Sequence, residues 1–330
     1  MKRRRLPRSG KKSLEFAWRV FRIGPVDVSL MRERRKHLEF LRQTAREAIW
    51  SGDYERALTL YDDGLSLARS WKDRDLEDLF TCNRATTLIE MDRQDFDLSR
   101  LKEILLRNPS GYNGALAGYV AANAHEARGE FGRARFYAQT ALTKSRELGL
   151  EELTGTSLNL LASLELHEGR FEAARDLFQE SVERLESQGE SLSRHAAVAT
   201  DNLGYCHIAL DRIELGLPLV HRSLSVLDSL GARQAMDYPT LDLCFANVKM
   251  NRLDEAESWG IRALGLGKEF GREDVVKNAH YLLAETYSEM GRTPEADDQY
   301  EALASYYPDF PALKHYLRQI SLMEVINLRA

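Results

Sequence analysis

Apolar side chains recur along most of the chain at steps of three and four residues, the period of a helix that buries one face. The pattern is clear where Leu158, Leu161 and Leu164 precede a glycine, Gly169. Because glycine readily takes the left-handed backbone conformation that closes a helix, this stretch predicts a helix that ends at Gly169.

A second helical stripe begins directly after that glycine. Phe171, Ala174, Phe178 and Ser181 lie on one face of it, and Gly189 ends it. The two small side chains allow the helices to approach closely, whereas the aromatic rings fill the space between neighbouring units. The stretch therefore predicts a pair of packed helices.

The two-helix pattern repeats at intervals of about 40 residues. A glycine-x-aromatic-x-x-alanine motif opens each second helix, in strict form at Gly52, Gly129 and Gly169 and in looser forms elsewhere. The leading positions of the motif are 52, 94, 129, 169, 211, 251 and 291. A second series of glycines keeps the same interval at Gly149, Gly189, Gly231 and Gly271. Two interleaved series predict two helices per unit, each closed by its own turn.

These residues resemble the tetratricopeptide repeat (TPR) family. The fullest match is the unit that contains Leu161, Ala162, Gly169, Phe171, Ala174 and Phe178. Partial matches are Leu203, Gly204 and Ser223, and then Leu283, Ala284, Tyr287, Gly291, Ala296, Tyr300 and Pro308. The period exceeds the usual length of about 34 residues, and in this the chain is similar to kinesin light chains and bacterial TPR regulators. The unit at about 76–110 retains little of the pattern beyond Phe96.

The resemblance implies an all-α, right-handed superhelical solenoid of about six to seven helix–turn–helix repeats. We expect the solenoid to span residues 38–308, after a basic arm and an amphipathic helix in residues 1–37. Residues 309–330 carry an apolar stripe and predict a C-terminal capping helix, because the end of a solenoid exposes an apolar face that must be covered.

The resemblance also implies a concave groove lined by the first helix of each unit. The candidate groove residues are Arg42, Arg46, Arg84, Tyr119, Asn123, Asn159, Asp201, Tyr205, Phe245 and Tyr281. Asparagine can bind both the N–H and the C=O of an extended peptide, and aromatic rings supply anchoring area. The alternative is that the asparagines only cap or bridge neighbouring repeats, since buried amides usually find internal partners.

Charge is divided unevenly along the chain. Residues 1–46 hold 15 Lys and Arg against 4 Asp and Glu, whereas the remainder holds 31 against 47. The basic arm consists chiefly of Arg3, Arg4, Arg5, Arg8, Lys11 and Lys12. It is either a solubilising tail or a contact for nucleic acid, anionic lipid or an acidic protein. The apolar stripe that follows, Leu14, Ala17, Trp18 and Phe21, either docks on the first repeat or binds a membrane surface.

The residue patterns of catalysis and metal binding are missing from the sequence. It contains no phosphate-binding GxxxxGK[ST] loop, no GxGxxG, no HExxH and no GxSxG. Three isolated cysteines, Cys82, Cys206 and Cys244, argue against a disulfide framework and predict small buried side chains in a reducing compartment. No apolar run approaches the roughly 20 residues needed to span a bilayer, so we expect a cytoplasmic protein without cofactor or metal.

The sequence therefore predicts a non-catalytic interaction scaffold or regulator that binds a peptide or helix in the concave groove. Two alternatives stay open: a nucleic-acid-associated regulator that uses the basic arm, and a membrane-surface adaptor. Self-association through the C-terminal helix is a further option, because Val325, Ile326 and Leu328 leave apolar surface beyond its capping stripe.

Overall fold

The structure, a computed structural model, describes residues 28–91, 93, 95–187 and 194–329, with side chains from residue 33 onward. The predicted basic arm and the apolar stripe of residues 14–21 lie outside these ranges, as do Gln94 and Gly189. The predictions made on them stay predictions.

Regular structure in the described ranges is helical, as expected from the spacing of apolar residues. There are fifteen α-helices: α1 Val28–Trp50, α2 Tyr54–Ser70, α3 Arg74–Glu90, α4 Leu98–Arg107, α5 Tyr112–Glu126, α6 Phe131–Glu147, α7 Glu151–His167, α8 Phe171–Ser187, α9 Arg194–Ala209, α10 Ile213–Ser229, α11 Asp237–Lys249, α12 Leu253–Glu269, α13 Glu273–Glu289, α14 Thr293–Ala304 and α15 Leu313–Leu317. A short 3₁₀ helix, Arg233–Met236, precedes α11.

Consecutive helices form seven pairs, from α1/α2 to α13/α14, and each pair packs on the next. This is the predicted all-α solenoid of two-helix repeats. The second pair is irregular: α4 has only ten residues and packs on α5 rather than on α3. Its irregularity coincides with the stretch in which the repeat motif fades.

The turns between helices occur where the two glycine series predict them. At the end of α7, Arg170 donates its backbone N–H to Glu165 at 2.9 Å and Gly169 donates to Leu166 at 2.8 Å. Gly169 has a φ of 71°, so the turn is the left-handed cap in which glycine is favoured. Asp211 and Asn251 hold φ values of 57° and 55° at the equivalent positions of later repeats.

Helices within a pair approach closely at small residues. In the fourth pair, the Ser181 hydroxyl on α8 donates to the Gly155 carbonyl on α7 at 2.7 Å. In the fifth pair, a Cβ added at Gly216 on α10 would lie only 2.4 Å from the Gly204 carbonyl oxygen on α9. The backbones of this fifth pair therefore touch. All three cysteines are buried and free, as expected from their isolation in sequence.

The predicted C-terminal capping helix is much shorter than residues 309–330. Helix α15 has five residues and packs on α14; the chain then continues without regular helix through residues 318–329, here called the C-terminal segment. Tyr316 and Ile320 of the predicted apolar stripe are exposed, whereas Leu317 is buried. The reason is that the segment finds hydrogen-bond partners for its backbone inside the solenoid, as described below.

In the described part of the chain, no helix combines the length and apolar character needed to cross a membrane.

Candidate functional site

The concave face of the solenoid is a groove whose two sides approach each other. The Tyr54 hydroxyl at the start of α2 donates to Oε1 of Gln234 before α11, across 180 positions of sequence. Arg194 on α9 pairs with Glu90 on α3 at 3.6 Å. These contacts between early and late repeats show that the superhelix curls round on itself and encloses its own groove.

Two adjoining cavities occupy the enclosed groove, with volumes of about 340 Å³ and 610 Å³. They share Glu90, Tyr119, Thr156, Arg194 and His195. Side chains from the first helices of several repeats thus meet in one continuous space, which we call the inner groove.

The smaller cavity, at the N-terminal end of the inner groove, is lined by cations and aromatic rings. Arg42, Arg46 and Trp50 reach it from α1, and Tyr112 reaches it from α5. Arg46 pairs with Glu152 on α7 at 3.5 Å and its guanidinium lies 5.8 Å from the centre of the Trp50 ring. This end of the groove therefore has polar and flat apolar surface side by side.

The larger cavity is lined by amides and by the partly buried carboxyl of Glu126. Asn123 uses its amide to donate to the Tyr119 carbonyl one turn earlier at 2.9 Å. Asn159 lines the same cavity, and its buried Oδ1 accepts no hydrogen bond from the described residues. Burial raises the pKa of Glu126 to about 7, although Nε2 of His167 lies 3.9 Å away.

The C-terminal segment lies along the inner groove at its C-terminal end and is held there by its backbone. Tyr281 on α13 accepts the N–H of Leu322 at 2.6 Å, and Tyr205 on α9 accepts the N–H of Leu328 at 2.8 Å. Asn278 on α13 donates its amide to the Leu328 carbonyl at 3.1 Å. These bonds bind main-chain atoms, so they do not depend on the side chains at positions 322 and 328.

Asn327 adds two side-chain bonds to this anchorage. Its Nδ2 donates to the Leu166 carbonyl at the end of α7 at 2.6 Å. Its Oδ1 accepts the Tyr205 hydroxyl at 3.1 Å. The segment is thereby tied to helices that belong to two different repeats.

Arg329 enters a deep pocket between α9 and α11. Its guanidinium donates to both carboxylate oxygens of Asp242, at 3.0 Å and 2.6 Å, and to Asp201 at 3.4 Å. It lies 4.4 Å from the ring centre of Tyr205 and 4.0 Å from that of Tyr238. We call Asp201, Asp242, Tyr205 and Tyr238 the arginine pocket.

Burial dominates the electrostatics of this pocket. It raises the pKa of Asp242 to about 6, against the opposing effect of Arg329. It also raises the pKa of Asp201, and the neighbouring Asp242 carboxylate raises it further while Arg329 lowers it. Two desolvated carboxylates so close together favour a bound cation, because each destabilises the charge of the other.

The groove residues predicted from the sequence divide into those that line the inner groove, those that are buried, and Arg84, which belongs to neither set. Arg42, Arg46, Tyr119, Asn123, Asn159 and Asp201 line the inner groove. Tyr205, Phe245 and Tyr281 are buried: the C-terminal segment binds the hydroxyls of both tyrosines, and the Phe245 ring centre lies 6.3 Å from that of Tyr205.

Arg84 does not line either cavity. Its guanidinium pairs with Asp62 on the preceding helix α2 at 2.7 Å. The residues of α3 that line the cavities are Asn83, Thr86, Ile89 and Glu90.

Sequence reasoning placed Asp201 and Tyr205 in the groove but missed Asp242 and Tyr238 of the arginine pocket and Arg329, which fills it. Abundant carboxylates were expected to be solvated, whereas Asp201 and Asp242 are buried. A signal was present, because the two aspartates stand 41 positions apart, close to one repeat. Arg329 had no such signal, since it lies beyond the repeats.

Comparison with known proteins agrees with this architecture. Tetratricopeptide repeat models match residues 154–187 and 278–310, which correspond to the fourth and seventh helix pairs. No curated protein matches the chain in sequence.

Solved structures share the fold at low sequence identity. A Rap protein complexed with Competence and Sporulation Factor is 12% identical, with a TM-score of 0.61 over 86% of this chain and 76% of that one. BtubC (BKLC) from P. vanneervenii is 16% identical, with a TM-score of 0.51 over 72% and 93%. The apo form of RapI is 13% identical, with a TM-score of 0.55 over 86% and 97%. With its repeated two-helix units and both matched segments, the chain belongs to the tetratricopeptide repeat family.

Proposed function

We propose that this chain is a protein–protein interaction scaffold whose inner groove binds an extended peptide segment of a partner. One observation carries the proposal: the groove already holds a non-helical peptide, the C-terminal segment, through hydrogen bonds to its main chain. A surface that satisfies backbone N–H and C=O groups in this way suits peptide recognition.

Space for a partner lies next to the bound segment. The cavity of about 610 Å³ opens beside it, and the free Oδ1 of Asn159 offers an acceptor there. A Rap protein of similar fold is complexed with Competence and Sporulation Factor, an example of binding by this architecture.

The proposed role is binding rather than catalysis. Three buried aspartates are paired with arginines: Asp201 and Asp242 with Arg329, and Asp237 with Arg272 at 3.4 Å. Such pairing makes these carboxyl groups hydrogen-bond acceptors for guanidinium groups.

A peptide library tests the proposal without knowledge of the partner. Random twelve-residue peptides displayed on phage are selected on the wild-type chain, and the affinities of the selected peptides are measured by fluorescence anisotropy. Asn159→Trp fills the larger cavity and is expected to weaken binding at least tenfold. Phe136→Trp, at an exposed position of α6, is the matched control and should leave binding unchanged. Selected peptides that tolerate Asn159→Trp but not Phe136→Trp would place the binding surface elsewhere.

A further inference from the structure

The arginine pocket has the chemistry of a specific guanidinium site. Asp242 meets the guanidinium edge with both oxygens, which is the bidentate geometry that arginine forms and lysine does not. The rings of Tyr205 and Tyr238 lie within cation–π distance of the same group. The pocket therefore recognises the positive charge of an arginine side chain, the edge of its guanidinium and the face of that group.

The pocket is accessible from the inner groove. Asp201, Tyr238 and Arg329 all line the larger cavity. A peptide bound in that cavity would reach the pocket without any change in the helices, provided that Arg329 left it. Without a cation, the two buried carboxylates would lose their charge compensation.

The C-terminal segment that supplies Arg329 is held mainly by hydrogen bonds, with Leu322, Met323, Ile326 and Leu328 as its apolar contacts to the core. It contains no regular helix, and the residues Arg318 to Ser321 are exposed. The Val325 side chain is 77% exposed, whereas Leu328, next to Arg329, is buried. Segments with few buried apolar contacts open at a small fraction of the free energy of global unfolding.

We propose that the arginine pocket is the specificity site for an arginine of the partner peptide, and that the C-terminal segment is an internal competitor that occupies it until displaced. This inference rests on the proposed function, because it names the ligand chemistry of the same groove. The internal ligand defines the expected partner: an extended peptide with an aliphatic residue directly before arginine, as in Leu328-Arg329.

The factor by which the C-terminal segment weakens binding of a partner peptide can be predicted. A tethered ligand acts at an effective concentration of about 1 mM. If the same peptide binds an emptied groove with a dissociation constant of about 10 μM, the tether weakens binding from solution roughly 100-fold.

Binding in trans tests the competition. The probe is a fluorescein-labelled peptide of residues 318–329, RQISLMEVINLR. It is titrated into the wild-type chain and into Asn327→Ala/Arg329→Ala, with circular dichroism to establish that the variant is folded. We expect roughly 100-fold tighter binding to the variant. Equal affinity for both proteins would overturn the competition.

Matched changes test the pocket itself. A probe with lysine in place of its last arginine should bind the double variant at least tenfold more weakly, because lysine lacks the bidentate edge. Adding Asp242→Asn to that variant should weaken the original probe similarly, whereas Asp254→Asn, at an exposed position of α12, should not. If arginine amide alone binds as tightly as the probe, the pocket is a small-cation site and the peptide assignment is wrong.

A second measurement keeps Arg329 in place, in case the double variant does not fold. A nitroxide is attached at Ile326→Cys, a partly buried position that packs against the core, and the native cysteines do not compete because all three are buried. Its spectrum should change from immobilised to mobile when millimolar probe is added. A nitroxide that stays immobilised would show that the segment is a fixed part of the fold.

The outcome separates this inference from the proposed function. If phage-selected peptides bind the inner groove but the probe neither binds the double variant nor mobilises the nitroxide, only the competition fails. If the selected peptides also ignore Asn159→Trp, the groove itself is not the binding site.

Discussion

The contact between α9 and α10 makes Gly216→Ala a sharp test of how the repeats pack. A Cβ at position 216 would lie 2.4 Å from the Gly204 carbonyl oxygen and 2.7 Å from Cγ1 of Ile208. Carbon–oxygen contacts normally begin at about 3.3 Å, so the helices must separate by roughly 1 Å. The blocking oxygen belongs to the backbone, and no change of rotamer can remove it.

Two opposing effects determine the size of the change. Overpacking a close-packed interface costs about 1–3 kcal/mol, whereas alanine favours a helix interior over glycine by about 1 kcal/mol. We therefore expect Gly216→Ala to lower the free energy of unfolding by up to about 2 kcal/mol. Gly265→Ala on α12 is the matched control, because its added Cβ would meet no atom within 4 Å. That control should raise the free energy of unfolding by about 0.5–1 kcal/mol.

Urea unfolding followed by circular dichroism measures both changes. Hydrogen exchange adds a spatial check, because repeats contact mainly their neighbours: exchange should accelerate in α9 and α10 and stay unchanged in α1 and α2. If Gly216→Ala proves as stable as Gly265→Ala, the close packing of these two backbones is refuted.

Two further predictions concern a strained turn and a buried acid. Lys72 has a φ of 56°, a left-handed conformation that costs a non-glycine residue about 1–2 kcal/mol. Lys72→Gly should therefore raise the free energy of unfolding, measured in urea, by about 1 kcal/mol. A free energy of unfolding below that of wild type would contradict the strain. The pKa of Glu126 is raised to about 7 when folded, so the folded chain holds a proton that the unfolded chain loses between about pH 4.5 and 7, and stability falls as pH rises through that range. Relative to wild type, Glu126→Gln should therefore gain about 1–3 kcal/mol in free energy of unfolding as the pH rises from 5 to 8. A pH-independent difference in urea unfolding would rule out a charged, desolvated Glu126.

Sequence alone was enough to predict the repeated helix pairs and the positions of their turns. The reason is local: helical spacing of apolar residues and residues that tolerate a left-handed φ act over a few positions. Asp211 and Asn251 replace glycine at two of these turns without changing the repeat interval. Their positive φ values confirm the register of the turns. In the second repeat, where the motif fades, Arg84 pairs with Asp62 and lines neither cavity.

Tertiary structure alone decided what the groove contains. Burial of Asp201 and Asp242 depends on the curl of the superhelix and on a guanidinium from far along the chain, and neither is encoded in a window of a few residues. The same holds for the C-terminal segment: its apolar spacing favours a helix, but Tyr205, Asn278 and Tyr281 satisfy its backbone in another conformation. Hydrogen bonds to distant repeats thus outweighed local helix propensity, because a backbone group satisfied inside the groove has no need of a helical partner.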